Sequence, residues 1–443
     1  LSRRVVITGL GVVSPLGNSP AGLWDALVAG KSGVAPLAAL PPLDGRVAFG
    51  GECRDFTGEI DNFGELEKDL KKSIRKALKM MCRESMMAVA AAQHALADGG
   101  FATSPGSPSG STSMDPDRSG VVFGSDYMLS PPDDLLAAMK TCGAAAGNFD
   151  YDKWGGAGLK DMNPLWMLSY LPNMPASHIA IFNDLRGPNN SLTMREVASL
   201  LAIREAVQTI ERGHAERMIA GATGTRIHSF KTVHAVQQEQ LANPELPPAE
   251  ASRPFDAQRT GMVVGEGAGA MVLEEYAAAK ARGATIYGEI IGTSSVAAIS
   301  DRAKGDIAAA LASAAKSALA SAQVEPAQIG HINAHGLGTI DGDAAEAAAL
   351  QSAFGAALAT VPVAAVKGAI GNLGAGGGVV ETIASVLALH HNRLFPTLNY
   401  ATPDPRCPVT VATAGRPAAP GDSFLKLSVT PQGQAAALIV RRV

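Results

Sequence analysis

Residues 186–206 read RGPNNSLTMREVASLLAIREA. Up to Asn190 the composition is that of a polar turn, whereas from Ser199 onward Leu200, Ile203 and Ala206 recur at helical spacing, as on a helix with a buried face. A chain that leaves a loop and starts a buried helix aims its first-turn side chains and unpaired backbone N–H groups at one spot. Nucleophiles are often placed there. The residue at this spot is Glu196, between Arg195 and Val197, and no Cys, Ser or Lys falls between Leu192 and Ala198.

The rest of the chain sets the frame for that helix. Its 443 residues admit two or three domains or one large duplicated domain, and 47% hydrophobic with 18% charged residues is the profile of a tightly packed, soluble α/β protein. A net charge of −4 argues against a general nucleic-acid or membrane role. Cys53, Cys82, Cys142 and Cys407 are widely spaced without CxxC or His-rich pairing, so they read as reduced thiols and not as a disulfide framework or metal site. No apolar run is long enough to span a bilayer and the N-terminal residues enter a strand at once, so neither membrane insertion nor a signal peptide is expected. The cytoplasm is the default compartment.

In chain order, residues 5–8 read as a buried strand closed by a tight turn at Gly9 and Gly11. The GLGV there lacks the full GxGxxG spacing and Pro15 interrupts the helix that a dinucleotide site needs. Residues 67–96 read as one long helical stretch, with Lys68, Lys71, Lys72, Arg75, Lys76 and Lys79 mostly on one side and Ile74, Leu78 and Met81 on another. That basic side is either a solvated face or a docking patch for an acidic partner. Residues 102–118 are Ser, Pro and Gly rich, a loop; residues 133–166 are irregular, and such insertions line pockets or subunit contacts. Short strands at 121–124, 217–220, 267–273 and 286–291, with helices at 277–282 and 306–322, make the second half repeat the first in outline. Two α/β halves sharing a layered core follow from that repetition.

Two further stretches carry chemistry. Residues 331–346 read HINAHGLGTIDGDAAE, a strand end followed by His335 among glycines, where a histidine serves as acid, base or oxyanion donor, or has a structural role. Asp343 and Glu346 nearby match no common zinc spacing. Residues 366–381 read VKGAIGNLGAGGGVVE, with Lys367 as a buried cation and Asn372 bracketed by glycines in a loop entering a helix. A phosphate cradle is disfavoured because the Lys precedes the Gly run.

Taken together, residues 5–18 (VVITGLGVVSPLGN), Asn173-Met174, Gly187-Pro188-Asn189, residues 253–269, 335–346 and 367–378, and Pro396 to Asn399 occur in an order that resembles the β-ketoacyl-acyl-carrier-protein synthases nearly end to end. The resemblance implies the thiolase-like α/β fold, a duplicated five-layer αβαβα sandwich that is usually a dimer. Residues 1–275, with insertions at about 100–175, would be the N-terminal ketosynthase half and residues 276–443 the C-terminal half. In active members a Cys at the helix start takes the acyl chain, and two histidines assist decarboxylation of a malonyl thioester and stabilise the enolate and oxyanion. Here the nucleophile position falls on Glu196, the first histidine on His335 and the second on Asn372, while Lys367 and Glu346 match the buried Lys and Glu that would orient the second histidine. Of two threonines that grip the phosphopantetheine arm, Leu337 stands at one position and Thr339 remains. The Gly-Phe-Gly gate reads Val429-Thr430-Pro431-Gln432-Gly433, and the Phe after Arg-Asp-Gly is Met262. The family docks its carrier protein near Lys68, Lys71, Lys72, Arg75 and Lys76. No metal or cofactor of its own is implied, since phosphopantetheine arrives on the carrier.

These departures have chemical consequences. A carboxylate does not replace a thiolate in thioester exchange, and an ionised Glu196 would repel a malonyl carboxylate in a low-dielectric pocket. Asn372 keeps a hydrogen-bond donor and loses the titratable nitrogen. A buried Glu196 needs a cation, Arg195 or Lys367, or its pKa rises; the helix start also favours the anion. The expectation is a condensation-incompetent, chain-length-factor-like subunit that partners an acyl carrier protein and an active ketosynthase, with a homodimer as the other assembly. Two readings stand beside it: an acyl-thioester decarboxylase or hydrolase using Glu196 and His335, and a non-catalytic carrier-binding module.

Overall fold

Ten strands line up in one mixed sheet, and the pairing pattern on one side of its centre is repeated on the other. The computed structural model describes residues 3–40, 46–101, 114–300 and 304–443. The strands are β1 (Val5–Val13), β2 (Val34–Pro36), β3 (Phe49–Gly51), β4 (Ser119–Ser125), β5 (Asn189–Thr193), β6 (Arg217–Thr225), β7 (Glu266–Glu275), β8 (Gly288–Ala297), β9 (His331–Asn333), β10 (Val363–Ala364), β11 (Ser423–Val429) and β12 (Gln434–Arg441). β2 and β3 form a separate ribbon; the large sheet runs β10-β9-β11-β12-β8-β1-β7-β6-β4-β5. From β1 outward the pairs are antiparallel, antiparallel, parallel, parallel, and from β8 outward the same sequence recurs. Only residues 5–7 and 288–290 join the two halves edge to edge.

Helices fill the faces in the expected five-layer order. Helix Arg83–Asp98 packs on the outer face of the first half-sheet, and Ile307–Ala322 with Ile340–Phe354 covers the outer face of the second. Between the half-sheets lie Ala198–Glu211 and Gly377–His390, whose apolar residues share one core with β1, β6, β7 and β12. Gly377–His390 is buried from Gly377 to Leu389, which is why all of that stretch but Glu381, Thr382 and Ser385 is Gly, Ala, Val, Ile or Leu. Ala198–Glu211 buries Leu200, Ile203 and Ala206, the residues whose spacing marked it.

Three local expectations need correction. β1 does not turn at Gly9 and Gly11 but runs on to Val13, because these glycines let the backbone of helix Arg83–Asp98 lie against the strand where a Cβ would strike the carbonyls of Ala95 and Ala91. The single helix expected over residues 67–96 is two, Lys68–Ala77 and Arg83–Asp98, separated by a 3₁₀ turn at Leu78–Met80 and an extended, buried Met81. The polar turn expected up to Asn190 already belongs to β5, since pairing with β4 overrides the low strand propensity of Asn189 and Asn190. The loop expected at 102–118 falls largely on residues 102–113, outside the described residues; its end is a short 3₁₀ turn, Pro116–Arg118. Residues 133–166 hold helix Pro132–Thr141 and several single turns that leave Leu136, Tyr151, Leu159, Leu165 and Met167 exposed. Among the described residues, no helix is long and apolar enough to cross a membrane.

Candidate active site

β5 hands the chain to a 3₁₀ turn, Arg195–Val197, which runs straight into helix Ala198–Glu211. Arg195 has φ of 50°, a left-handed conformation that non-glycine residues seldom adopt outside sites held by their surroundings. The surroundings here are charges. The Arg195 guanidinium donates to Glu239 Oε1 at 2.6 Å, and its Nε lies 3.5 Å from Glu196 Oε2. Glu196, 4% exposed, accepts at Oε1 from Arg226 Nη2 and, at 3.4 Å, from Asn372 Nδ2. Arg226 follows the end of β6 and is 1% exposed; its Nη1 donates to Glu239 Oε1 at 3.0 Å, and its Nε lies 3.9 Å from Asp126 Oδ2.

The principal partner of Glu196 is therefore Arg226, and the expectation of Arg195 or Lys367 is corrected: Arg195 is secondary, and Lys367 is engaged elsewhere. Burial pushes the Glu196 carboxyl up, yet the Arg226 and Arg195 guanidiniums outweigh it and hold the group below the ordinary carboxylate range. Asp126, buried and farther from a cation, is pushed up by desolvation despite Arg226 and Lys231.

From the second half, β9 delivers His335 in a loop whose Gly336 and Gly338 have φ of 48° and 79°. Helix Ile340–Phe354 clamps this loop: Glu346 accepts the backbone N–H groups of His335 at 2.6 Å and Gly336 at 2.8 Å, and Asp343 accepts that of Gly338 at 3.0 Å. Lys367 Nζ donates to the His335 carbonyl at 2.8 Å and to Glu381 Oε1 at 2.7 Å, while Lys426 bonds the Ala334 carbonyl and the other Glu381 oxygen. Lys367 and Glu346 thus fix the backbone of residue 335 and not residue 372, the position they were expected to orient. Asn372 has other partners: Nδ2 also reaches Met262 Sδ at 3.5 Å, and Oδ1 accepts the Gly374 N–H at 3.1 Å. Burial, reinforced by Lys367, Lys426 and Arg226, holds the His335 imidazole well below its usual range, so the ring is neutral at pH 7. Its Nδ1 is buried and finds no hydrogen-bond partner among the described residues.

Glu196, His335, Leu337, Thr339, Glu346, Thr430 and Pro431 share the lining of one cavity of about 310 Å³. Met262, Asn372 and Lys367, expected in the site, do not line it. None of the four cysteines lines it either; all are buried elsewhere. Asp341, Gly342, Asp343 and Val429 also line it, as do Gln238, Glu239, Gln240, Ile307 and Leu311, which sequence reading missed together with Arg226, Asp126, Glu381 and Lys426 near the site. One signal was present for Arg226, a lone cation directly after a strand of small and apolar residues that ends in the interior. The helix carrying Lys68, Lys71, Lys72, Arg75 and Lys76 stands apart from the cavity on the surface, with Lys71 paired to Asp61 at 2.8 Å. Chemically the site offers a neutral imidazole, while the buried Asn372 amide is spent on Glu196, Met262 and Gly374. The Glu196 carboxylate is committed to guanidinium and held ionised by it.

The β-ketoacyl synthase N-terminal domain matches residues 2–279, and the β-ketoacyl synthase C-terminal domain matches residues 287–401. The 3-oxoacyl-[acyl-carrier-protein] synthase 2 of Coxiella burnetii is 34% identical over 411 residues, covering 91% of this chain and 90% of that protein. Among solved structures, a type II polyketide acyl-carrier protein in complex with its ketosynthase bound to the hexaketide superposes with a TM-score of 0.82 at 26% identity, covering 100% of both chains. The ishigamide ketosynthase/chain length factor gives the same TM-score of 0.82 and 26% identity over 100% of both chains. Layer order, sheet topology and these matches agree: the fold is the thiolase-like ketosynthase fold, and the chain belongs to the β-ketoacyl synthase family.

Proposed function

We propose that this chain is a ketosynthase-type subunit of fatty acid or polyketide biosynthesis that does not form carbon–carbon bonds itself and works beside an active ketosynthase and an acyl carrier protein, as a chain length factor does. Its halves divide at residues 275 and 276. The observation that carries this reading is the state of Glu196: at the helix start where the family's resemblance puts a thiolate stands a carboxylate locked to Arg226. Asn372, at the second-histidine position, adds to it because an amide moves no proton at neutral pH. Similarity to a ketosynthase/chain length factor and to a ketosynthase complexed with its carrier protein supports the choice of partners.

The test is incubation of the purified chain with acyl- and malonyl-loaded carrier proteins, alone and with candidate active ketosynthases, read by mass spectrometry. The chain alone is expected to give no β-ketoacyl product and no covalent acyl adduct. Together with its proper partner it is expected to change the length of the product. Unaided chain elongation ends the proposal. The rival, an altered acyl-thioester enzyme, draws on Glu196 and His335 lining one cavity; carbon dioxide release or hydrolysis that disappears in Glu196→Ala favours it instead.

A further inference from the structure

The cavity lining runs from exposed Asp341 to buried carboxylates that are held by charge. Asp341 at its mouth has a side chain 99% exposed, while Glu196 and Glu239 at its depth are 5% and 8% exposed. Bonded to both carboxylates, outside the cavity lining, is the Arg226 guanidinium, 1% exposed, with Asp126, also 1% exposed, 3.9 Å from its Nε. The volume, about 310 Å³, is at the lower end of the roughly 300–1,000 Å³ of small-molecule pockets. Its side wall is apolar, formed by Ile307, Leu311 and Val429. An alkyl chain growing past this wall would meet Arg226, and displacing that group would leave two buried carboxylates short of their cation.

We propose that Arg226 is the stop of this cavity, so that it admits a pantetheine-type arm with at most a short acyl group lying against Ile307, Leu311 and Val429, and excludes longer aliphatic chains. The nature of the arm rests on the carrier-linked ligand proposed above; the length limit rests on the geometry alone. Arg226 here is a specificity-determining residue and takes no part in a bond-making step.

The experiment is calorimetric titration of the intact chain with a series of S-acyl pantetheines from acetyl to decanoyl, counting only binding that free pantetheine displaces. A channel that admits each added methylene raises affinity about fourfold per carbon. For the wild-type protein the affinity is expected to level off after the first few carbons, changing less than threefold from butyryl to decanoyl. In Glu196→Ala/Arg226→Ala, which removes both partners and leaves Arg195 paired with Glu239 at 2.6 Å, decanoyl is expected to bind at least tenfold tighter than butyryl. A wild-type affinity that climbs steadily to decanoyl, or the absence of any pantetheine-displaceable binding, overturns the proposal. Should the double variant fail to fold by circular dichroism, the wild-type series decides alone. β-Ketoacyl product measured in the same samples tests the subunit role separately, so the two ideas fail by different readouts.

Discussion

Arg226→Ala strips the guanidinium from Glu196 and Glu239 at once and leaves Arg195 alone against two buried carboxylates. Stranding a buried charge in this way costs about 3–5 kcal/mol, whereas removing both members of a pair is much milder. Arg226→Ala is therefore expected to unfold at a lower temperature than Glu196→Ala/Arg226→Ala, in a double-mutant cycle followed by calorimetry. Equal or reversed order would show that the pair is not the coupled unit seen here. Acid should mimic the loss. Because the Glu196 carboxyl is held below its ordinary 4.5, its contribution is present above that pH and is lost as pH falls through the lower folded value. The stability gap between wild type and Glu196→Gln should accordingly close in acid. Glu196 itself was legible in the sequence, because a helix start is a local feature read from its own neighbours. Its partner was not: Arg226 is 30 positions away, and only the fold, by ending β6 beside the head of the central helix, makes them neighbours. Lys367 failed as a candidate for a related reason, since Glu381 and the His335 carbonyl, both distant in sequence, claim it first.

Among the elements, the helix Lys68–Ala77 shows what periodicity tells and what it omits. Leu70, Ile74 and Ala77 are buried at spacings of four and three, and the basic residues point outward as the pattern required. The break after it was invisible, because Leu78 and Met81 continue the apolar spacing although the backbone at Met81 is extended. Lys68, Lys72, Arg75 and Lys76 are exposed, whereas Lys71 is occupied by Asp61. If this helix docks an acidic carrier protein, reversal of Lys72, Arg75 and Lys76 to Glu should weaken binding by at least tenfold in low-salt titrations, and wild-type binding should fall steeply with ionic strength. Reversal of Lys71 should matter least. A second element-scale device joins β9 to the buried helix Gly377–His390: His331 Nδ1 pairs with the Pro420 carbonyl at 2.7 Å and Nε2 with Ser385 Oγ at 3.0 Å. Burial pushes this imidazole down to about 4, so between that value and 6.5 the unfolded chain binds a proton that the folded chain refuses. Stability falls as pH drops through this window, by on the order of 3 kcal/mol from this group. His331→Gln should lack that part of the slope in denaturant titrations from pH 7 to 4.

At the scale of the whole molecule, the duplication that the repeated strand and helix order announced is present in the sheet pairing, but one end of the sheet is unfinished. β5 pairs with β4 on one side, and on the other no strand among the described residues covers it. An open edge is a template for another chain. Near it the segment expected to line pockets or contacts returns at Pro172, whose carbonyl accepts from Ser125 and Ser191 and so ties the insertion to β4 and β5. Some of its apolar side chains face solvent, with Tyr151 83% and Met167 56% exposed, and Ile181 on the adjoining helix Met174–Phe182 is 70% exposed. Large apolar side chains exposed together beside an open edge mark an interaction surface. Sequence alone gave this segment no periodicity because, after the helix Pro132–Thr141, it is built of single turns too short to repeat an apolar spacing. The face is expected to be buried against a second subunit, a copy of this chain or an active ketosynthase, in a continuation of the sheet. Tyr151→Asp, Met167→Asp and Ile181→Asp combined should convert the assembly to monomers by light scattering without altering the circular dichroism of the chain. A variant that keeps the wild-type mass would place the subunit contact elsewhere, and a wild-type protein that is monomeric with every candidate partner would remove the contact altogether.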